Sequence, residues 1–326
     1  MSSQTNYVFA GDIGGTNMRA ALADRSGILI ERGTCHTEPE LGLPQAEENL
    51  RALFEKVGSG VPRDEIGGVV ISSAGPIDPD SGTYVHPPNL PGWHGMTMKP
   101  GLAASLNLQV TIGHDATLGA LAESRYGVGQ GAQHLVYVTL STGVGGGIIA
   151  NGRMVTGAHG HAGEIGHLLV RPGGQSCNVG CDGCLEGISS GGGIARAATI
   201  AMSAGRASSM SDMVGGDIEA MSAQIVFEAA ANGDALGKEI VDSVIDAVAT
   251  GFADILNTLD PEYLVVGGAV TGGLQPYWDG LKNLVEDKVL PHFKDNVPLY
   301  VSPLGDDVSL IGAAAHAFDL ADSRLG

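Results

Sequence analysis

Six consecutive residues near the amino terminus, Asp12-Ile13-Gly14-Gly15-Thr16-Asn17, are of the types that phosphate recognition needs. Glycines let a backbone approach an anion closely, and successive N–H groups there can form an anion nest. Thr16 and Asn17 add side-chain donors, and the carboxylate of Asp12 suits a hydrated Mg²⁺. A plain hairpin turn is the alternative for the same residues. The run Ser141-Thr142-Gly143-Val144-Gly145-Gly146-Gly147 repeats the pattern in the second half. Gly113-His114-Asp115 lies between an apolar run and a helical one. A carboxylate at that point accepts the proton of a hydroxyl attacking phosphorus, or simply caps the helix.

A third cluster has metal chemistry. Ala162-Gly163-Glu164-Ile165-Gly166-His167 is followed by Cys177, Cys181, Cys184 and Glu186. Three thiols within eight residues, with one imidazole nearby, make a Cys₃His donor set for tetrahedral Zn²⁺. Such a closed site is structural, worth on the order of 10 kcal/mol of apparent binding energy, and would pin a loop too glycine-rich to order itself. Disulfide pairing, the alternative, leaves one thiol over and is disfavoured in a reducing compartment. Cys35 is remote and reads as an ordinary buried thiol, and His159 and His161 as loop residues.

The elements that must position these residues read as α/β. Tyr7–Ala10 is an apolar run that stops at the glycines, and Met18–Leu22 resumes without a helix between. A P-loop or dinucleotide turn opens directly into a helix, so Gly14-Gly15 is placed at a β-hairpin tip. Helices are predicted over 44–57, 116–125 and 309–321, with a longer helical region over 220–257. Strands are predicted over 68–72, 109–112, 134–140, 148–150 and 263–266, with Asn151-Gly152 as a hairpin turn. Two strand–glycine tip–strand units, one per half, imply two related domains facing a cleft.

The 326 residues suffice for two domains of roughly 150 residues each. With 36 acidic and 17 basic side chains, the formal charge is −19, which opposes contact with nucleic acid. Glycine accounts for 51 residues without a collagen-like period, as expected of turns and ligand loops. Four cysteines in this length are no disulfide framework. Neither a secretory leader nor an apolar run of about 18 residues is present, so the expectation is a soluble cytoplasmic enzyme with no membrane partner.

In the order and spacing of these pieces, the chain resembles the ROK family of sugar kinases, within the actin-like ATPase superfamily, and most of all its bacterial glucokinases. Asp12–Asn17 matches the first phosphate loop, Ser141–Gly147 the second, and Val265-Val266-Gly267-Gly268 the adenosine-side segment. The resemblance implies an actin-like ATPase (ribonuclease H-like) fold of duplicated domains around an interdomain cleft. Its parts would be a small α/β domain at 1–117, a large α/β domain with the zinc loop at 118–308, and a terminal helix at 309–326 packing back on the small one.

It also implies roles. Asp115 becomes the catalytic base and a sugar contact, with Gly75, Asn89, His114, Glu164, His167 and Glu186 completing the sugar site. Asp12, Gly14, Gly15, Thr16, Asn17, Thr142, Gly143, Gly145, Gly267 and Gly268 would hold ATP with Mg²⁺. His167, Cys177, Cys181 and Cys184 would hold structural Zn²⁺. Two positions depart from the family: its Asn before the base is His114 here, and its middle zinc cysteine falls on Val179. The expectation is that Cys181 replaces that thiolate, against a site of two thiolates and His167.

The implied reaction is ATP-dependent phosphorylation of the 6-hydroxyl of glucose, with domain closure excluding water from the γ-phosphate. Rivals are kinases for fructose, mannose, N-acetylglucosamine or N-acetylmannosamine, and a sugar-responsive repressor. The repressors carry an N-terminal helix-turn-helix, for which eleven residues before Asp12 leave no room. Polyphosphate or ADP as donor stays open, and a homodimer or homotetramer follows from family habit.

Overall fold

The computed structural model describes residues 5–78, 80–87, 89–294 and 296–324. Pro88, next to the candidate sugar contact Asn89, and the outermost residues of the predicted end domains lie outside them. The chain divides into two compact units: Met1–Gln133 with Gly147–Gly163 and Pro303–Gly326, and His134–Gly146 with Glu164–Ser302.

The first sheet contains β1 (Tyr7–Ile13), β2 (Asn17–Asp24), β3 (Leu29–His36), β4 (Ile66–Ser73) and β5 (Val110–His114), in the order β3-β2-β1-β4-β5. β1 pairs antiparallel with β2 and parallel with β4, and β4 runs parallel to β5. β1 and β4 are buried on both faces, which explains their nearly unbroken apolar runs. Alternation sends Phe9, Ile13 and Ile71 to one core and Val8, Ala10 and Val70 to the other.

The first of these cores is covered by α1 (Leu43–Val57) and α2 (Lys99–Leu106), which contribute Leu50, Phe54 and Leu102. α3 (Asp115–Tyr126) and the last helix share the second core, through Leu118 and through Leu310, Ala314 and Phe318. Gly312 lets these two helices meet closely, because an added Cβ would lie 2.0 Å from the Leu118 carbonyl oxygen.

The second sheet contains β6 (Leu135–Leu140), β7 (Val144–Ala150), β8 (Arg153–Met154), β9 (Tyr263–Gly267) and β10 (Leu299–Val301), in the order β10-β9-β6-β7-β8. β6 and β10 both run parallel to β9. Read from the other edge, this order has the topology of the first sheet, so the duplicated actin-like α/β fold expected from the sequence is present. β7 is divided between the units at Gly146/Gly147.

Around this sheet and after it come α4 (Leu185–Ser189), α5 (Gly191–Ser203), α6 (Met210–Met213), α7 (Ala223–Ala231), α8 (Ala235–Leu259), α9 (Val270–Leu274), α10 (Trp278–Lys288) and α11 (Val308–Asp322). The predicted 220–257 helical region is two helices. Gly233 takes φ 94° between them, and Asp234 caps α8 by accepting the Gly237 N–H at 2.8 Å. No helix among the described residues is long and apolar enough to cross a membrane.

Candidate active site

In the first unit the chemistry-bearing residues gather where parallel strands end. Ile13 pairs with Ser73, and Ser73 pairs with His114, so β1, β4 and β5 stop in register. Beyond those ends lie the Gly14–Thr16 tip, Ala74-Gly75-Pro76 and Asp115. The carboxyl ends of parallel strands are where open α/β sheets bind ligands.

The tip is a β-hairpin turn, with the Gly14 N–H donating to the Asn17 carbonyl at 2.9 Å. Thr37, unremarkable in the sequence, braces it from the end of β3. Its N–H donates to the Thr16 carbonyl at 2.9 Å and its hydroxyl to the Gly14 carbonyl at 2.7 Å. Asp12 stands opposite Arg19 across the hairpin. Arg19 Nε and Nη2 both donate to Asp12 Oδ2, at 3.0 and 2.8 Å. Arg19 also reaches the Asp306 carbonyl and the Ser309 hydroxyl, tying the hairpin to the start of α11. A basic residue directly across the tip from an acidic one is a signal the sequence does carry.

Asp115 is the first residue of α3, with His114 as the capping residue. Asp115 Oδ1 accepts the Ala116 N–H at 2.7 Å and lies 3.4 Å from His114 Nε2. The Asp115 side chain retains 38% of its exposure, enough to meet a solute. Gly75 makes room for the imidazole, since an added Cβ would lie 3.2 Å from His114 Cδ2. Asn89 is exposed beside the hairpin tip, where a Cβ on Gly15 would come within 3.3 Å of Asn89 Cβ and O. Behind that loop Trp93 is fully buried edge-on to Tyr84, centroids 5.3 Å apart, so it is a packing anchor.

In the second unit the glycine-rich tip is shorter than the sequence suggests. Only Ser141–Gly143 lies between the strands; Val144 to Gly147 is already β7. Gly147 is required by packing, because an added Cβ would lie 2.2 Å from the Ala116 carbonyl oxygen. The Ser141 N–H donates to the Gly143 carbonyl, and the Gly191 N–H at the start of α5 donates to Ser141, at 2.9 and 2.7 Å. Gly268 follows β9 with φ 92°, and an added Cβ would lie 2.3 Å from the Leu140 carbonyl oxygen. Only glycine closes β9 onto the end of β6 there.

Beside this tip is a cavity of about 810 Å³, lined by Ser141 and Thr142, Gly191 and Gly192, Gln224, Phe227 and Glu228 of α7, and Ala269, Val270, Gly272 and Gly273. The α7 lining was not identifiable from local sequence. Gly145 and Gly267 are strand residues of β7 and β9. Glu186, on α4, directs Oε2 to the Val144 N–H at 3.0 Å.

The donor atoms of His167, Cys177 and Cys181 lie within 4.8 Å of one another. His167 Nδ1 is 3.9 Å from the Cys177 sulfur, and its Nε2 is 3.8 Å from Glu164 Oε2. Cys184 is buried at the start of α4, where its sulfur accepts the Gly187 N–H at 3.3 Å. Cys184 is not one of the three residues whose donor atoms cluster. Burial pushes the Cys177 thiol up, but amide donors at Cys181 and Val179 and the two neighbouring thiols outweigh it and lower its pKa. Burial raises Cys184 to about 11. Val179 offers no donor and is 64% exposed. Soft thiolates and one imidazole at this spacing fit the structural Zn²⁺ of the family.

Comparison with known proteins places the fold in a family. A model of the ROK family matches residues 8–319. The glucokinase of Thermotoga maritima is 32% identical over 304 residues, covering 93% of this chain and 95% of that protein. The N-acetylmannosamine kinase of Citrobacter koseri is likewise 32% identical over 304 residues, covering 93% and 96%. The crystal structure of a Streptomyces griseus ROK glucokinase, in complex with glucose and AMPPNP, superposes with a TM-score of 0.79 at 28% identity. That match covers 98% of this chain and all of the other.

Proposed function

The chain belongs to the ROK family as one of its sugar kinases, and from that premise we propose that it transfers the γ-phosphoryl group of ATP to the 6-hydroxyl of glucose. The products are ADP and glucose 6-phosphate. The observation that carries this reading is the alignment of the Gly14–Asn17 tip, Gly75 and Asp115 at the ends of three adjacent parallel strands.

Asp115 accepts the proton of the attacking hydroxyl. Phosphoryl transfer passes through a loose transition state, so a positioned base and neutralised phosphate charge supply most of the catalysis. Gly75, Asn89, His114, Glu164, His167 and Glu186 are the proposed sugar contacts, and the carboxylates and imidazoles among them suit ring hydroxyls. Gly14, Gly15, Thr16 and Asn17 present amides and side-chain donors to phosphate, as do Thr142, Gly143 and Gly145. The 810 Å³ cavity takes the adenosine, with Gly267 and Gly268 at its β9 end.

Mg²⁺, when bound with ATP, neutralises the developing charge on the phosphate oxygens. Asp12 suits a role through that ion's water shell, because Arg19 already occupies its Oδ2 twice and leaves no bidentate face. In the zinc loop Cys181 takes the third thiolate position in place of Val179, with Cys177, Cys184 and His167 as partners. If zinc were held through one nitrogen of His167, the other would remain for the sugar, so the ion would orient a substrate contact without entering the chemistry.

The equal identity to an N-acetylmannosamine kinase supports a second reading, in which another hexose or an N-acetylhexosamine is the substrate. A panel of sugars with MgATP, scored by ADP release, separates them. The highest kcat/KM for glucose is expected. A clear preference for N-acetylmannosamine would replace glucose and leave the phosphoryl transfer standing; no sugar-dependent ADP release would end both readings.

A further inference from the structure

The loop carrying Asn89 is closed on its solvent side by two histidines that the chemistry above does not use. His86 and His94 bracket residues 87–93, and both are exposed. Their rings stack with centroids 3.6 Å apart and planes within 12°. The His86 N–H donates to His94 Nδ1 at 3.2 Å. An accepting Nδ1 puts the proton of the neutral His94 ring on Nε2. His86 also holds φ 50°, a left-handed conformation that a residue with a Cβ keeps only where its surroundings fix it. The contacts around it are the hydrogen bond from its N–H to His94 and the ring stack.

The inner side of the loop is anchored independently. The Gly95 N–H donates to the Tyr84 carbonyl and the Tyr84 N–H to the Met96 carbonyl, each at 2.9 Å, above the buried Tyr84–Trp93 pair. The core thus holds the loop through Leu90 and Trp93, both buried, while the histidine pair joins its two exposed ends. Asn89 lies in that arc, against Gly15 of the hairpin tip.

We propose that His86 and His94 form a positioning clasp that holds Asn89 beside the Gly14–Asn17 tip and so sets the affinity for the sugar. This rests on the sugar-kinase reading and assigns a function to two residues outside it. Neither histidine touches the reacting atoms. The hydrogen bond is the working part, since it ties the backbone at the left-handed turn of His86 to the far end of the loop, and the ring stack runs beside it.

Steady-state kinetics test the clasp. His94→Ala should raise the sugar KM on the order of tenfold, the value of about one lost hydrogen bond. Its kcat and KM for MgATP should change by less than about twofold, because only binding of the sugar is affected. His94→Asn, which restores an acceptor near the Nδ1 position, should recover most of the sugar affinity. His94→Phe, which keeps a ring plane but no acceptor, should behave as His94→Ala.

A sugar KM unchanged in His94→Ala overturns the proposal. So does a joint loss of kcat, ATP affinity and thermal stability that His94→Asn fails to restore, and so does wild-type affinity in His94→Phe. In a Trp278→Phe background Trp93 is the only tryptophan and reports sugar binding without turnover. A parent chain that binds sugar by this signal but releases no ADP ends the kinase reading, and the same three variants then judge the clasp by Kd. A parent chain with neither response overturns both.

Discussion

Glu186 Oε2 accepts the Val144 N–H at 3.0 Å, and a Cβ added to Gly143 would lie 2.8 Å from that same oxygen. One carboxylate thus fixes the residue after the β6–β7 tip and denies a side chain to the residue within it. Under the proposed function Glu186 faces the sugar and Gly143 the phosphates, so the pair couples two substrate contacts inside one unit. Gly143→Ala should push the flexible end of Glu186 off Val144 and leave the backbone in place. The expected result is a loss in kcat/KM on the order of 10²-fold, the cost of misplacing a positioning group. Thermal unfolding should be nearly unchanged, and an unaffected kcat/KM would dissolve the coupling.

Asp115 has one observed role and one proposed role, which a single substitution separates. Its Oδ1 accepts the Ala116 N–H at the start of α3, and the proposed reaction needs its basicity. Asparagine keeps an acceptor and loses the base. Asp115→Asn should therefore retain sugar binding, measured by calorimetry, while kcat falls roughly 10²–10⁴-fold. Turnover within a few fold of wild type would remove Asp115 from the chemistry and leave it a helix-start residue.

The hairpin at Gly14–Asn17 is legible in the sequence because apolar runs flank the glycines with no helix between them. The start of α3 is legible because an acidic residue follows a short strand. By contrast, Gly145, Gly146 and Gly147 read as loop but lie in β7, since Gly147 is demanded by the Ala116 carbonyl rather than by a turn. Thr37 reaches the first tip only because β3 folds back on β2, and the cavity lining of α7 arrives from more than eighty residues beyond the second tip. Such partners are set by tertiary packing, which no local spacing encodes. The proposed exchange of Val179 for Cys181 is different again: the letters show no cysteine at 179, and the folded loop brings the Cys181 sulfur within 4.8 Å of the His167 and Cys177 donor atoms.

That exchange predicts the metal content. Purified protein should contain one zinc per chain, measured by atomic emission. Cys181→Ser should lose most of it, whereas Cys35→Ser, which is not among the clustered residues, should keep it. Removing the metal with a strong chelator should lower the thermal midpoint, because binding energy at a structural site is folding energy. Full zinc retention in Cys181→Ser would show that Cys177, Cys184 and His167 suffice.

Tyr84 predicts an alkaline limit to stability. It is fully buried under the Asn89 loop, and burial pushes its pKa up to about 12, with the Ser73 hydroxyl at 3.0 Å partly offsetting that rise. An unfolded tyrosine ionises near 10. Below pH 10 both states hold the proton and Tyr84 adds no pH dependence. Between about 10 and 12 the unfolded chain releases its proton while the folded one retains it, so stability falls as pH rises, by about 2–3 kcal/mol from this residue. Other tyrosines and the lysines titrate in the same window, so the test is a difference: denaturant unfolding of wild type and Tyr84→Phe from pH 9 to 11.5. The variant should be less stable at pH 9, having lost the Ser73 bond, and its stability should fall less steeply above pH 10. Parallel pH slopes would mean that Tyr84 ionises in the folded protein as readily as in the unfolded chain, and that the Asn89 loop lets water in.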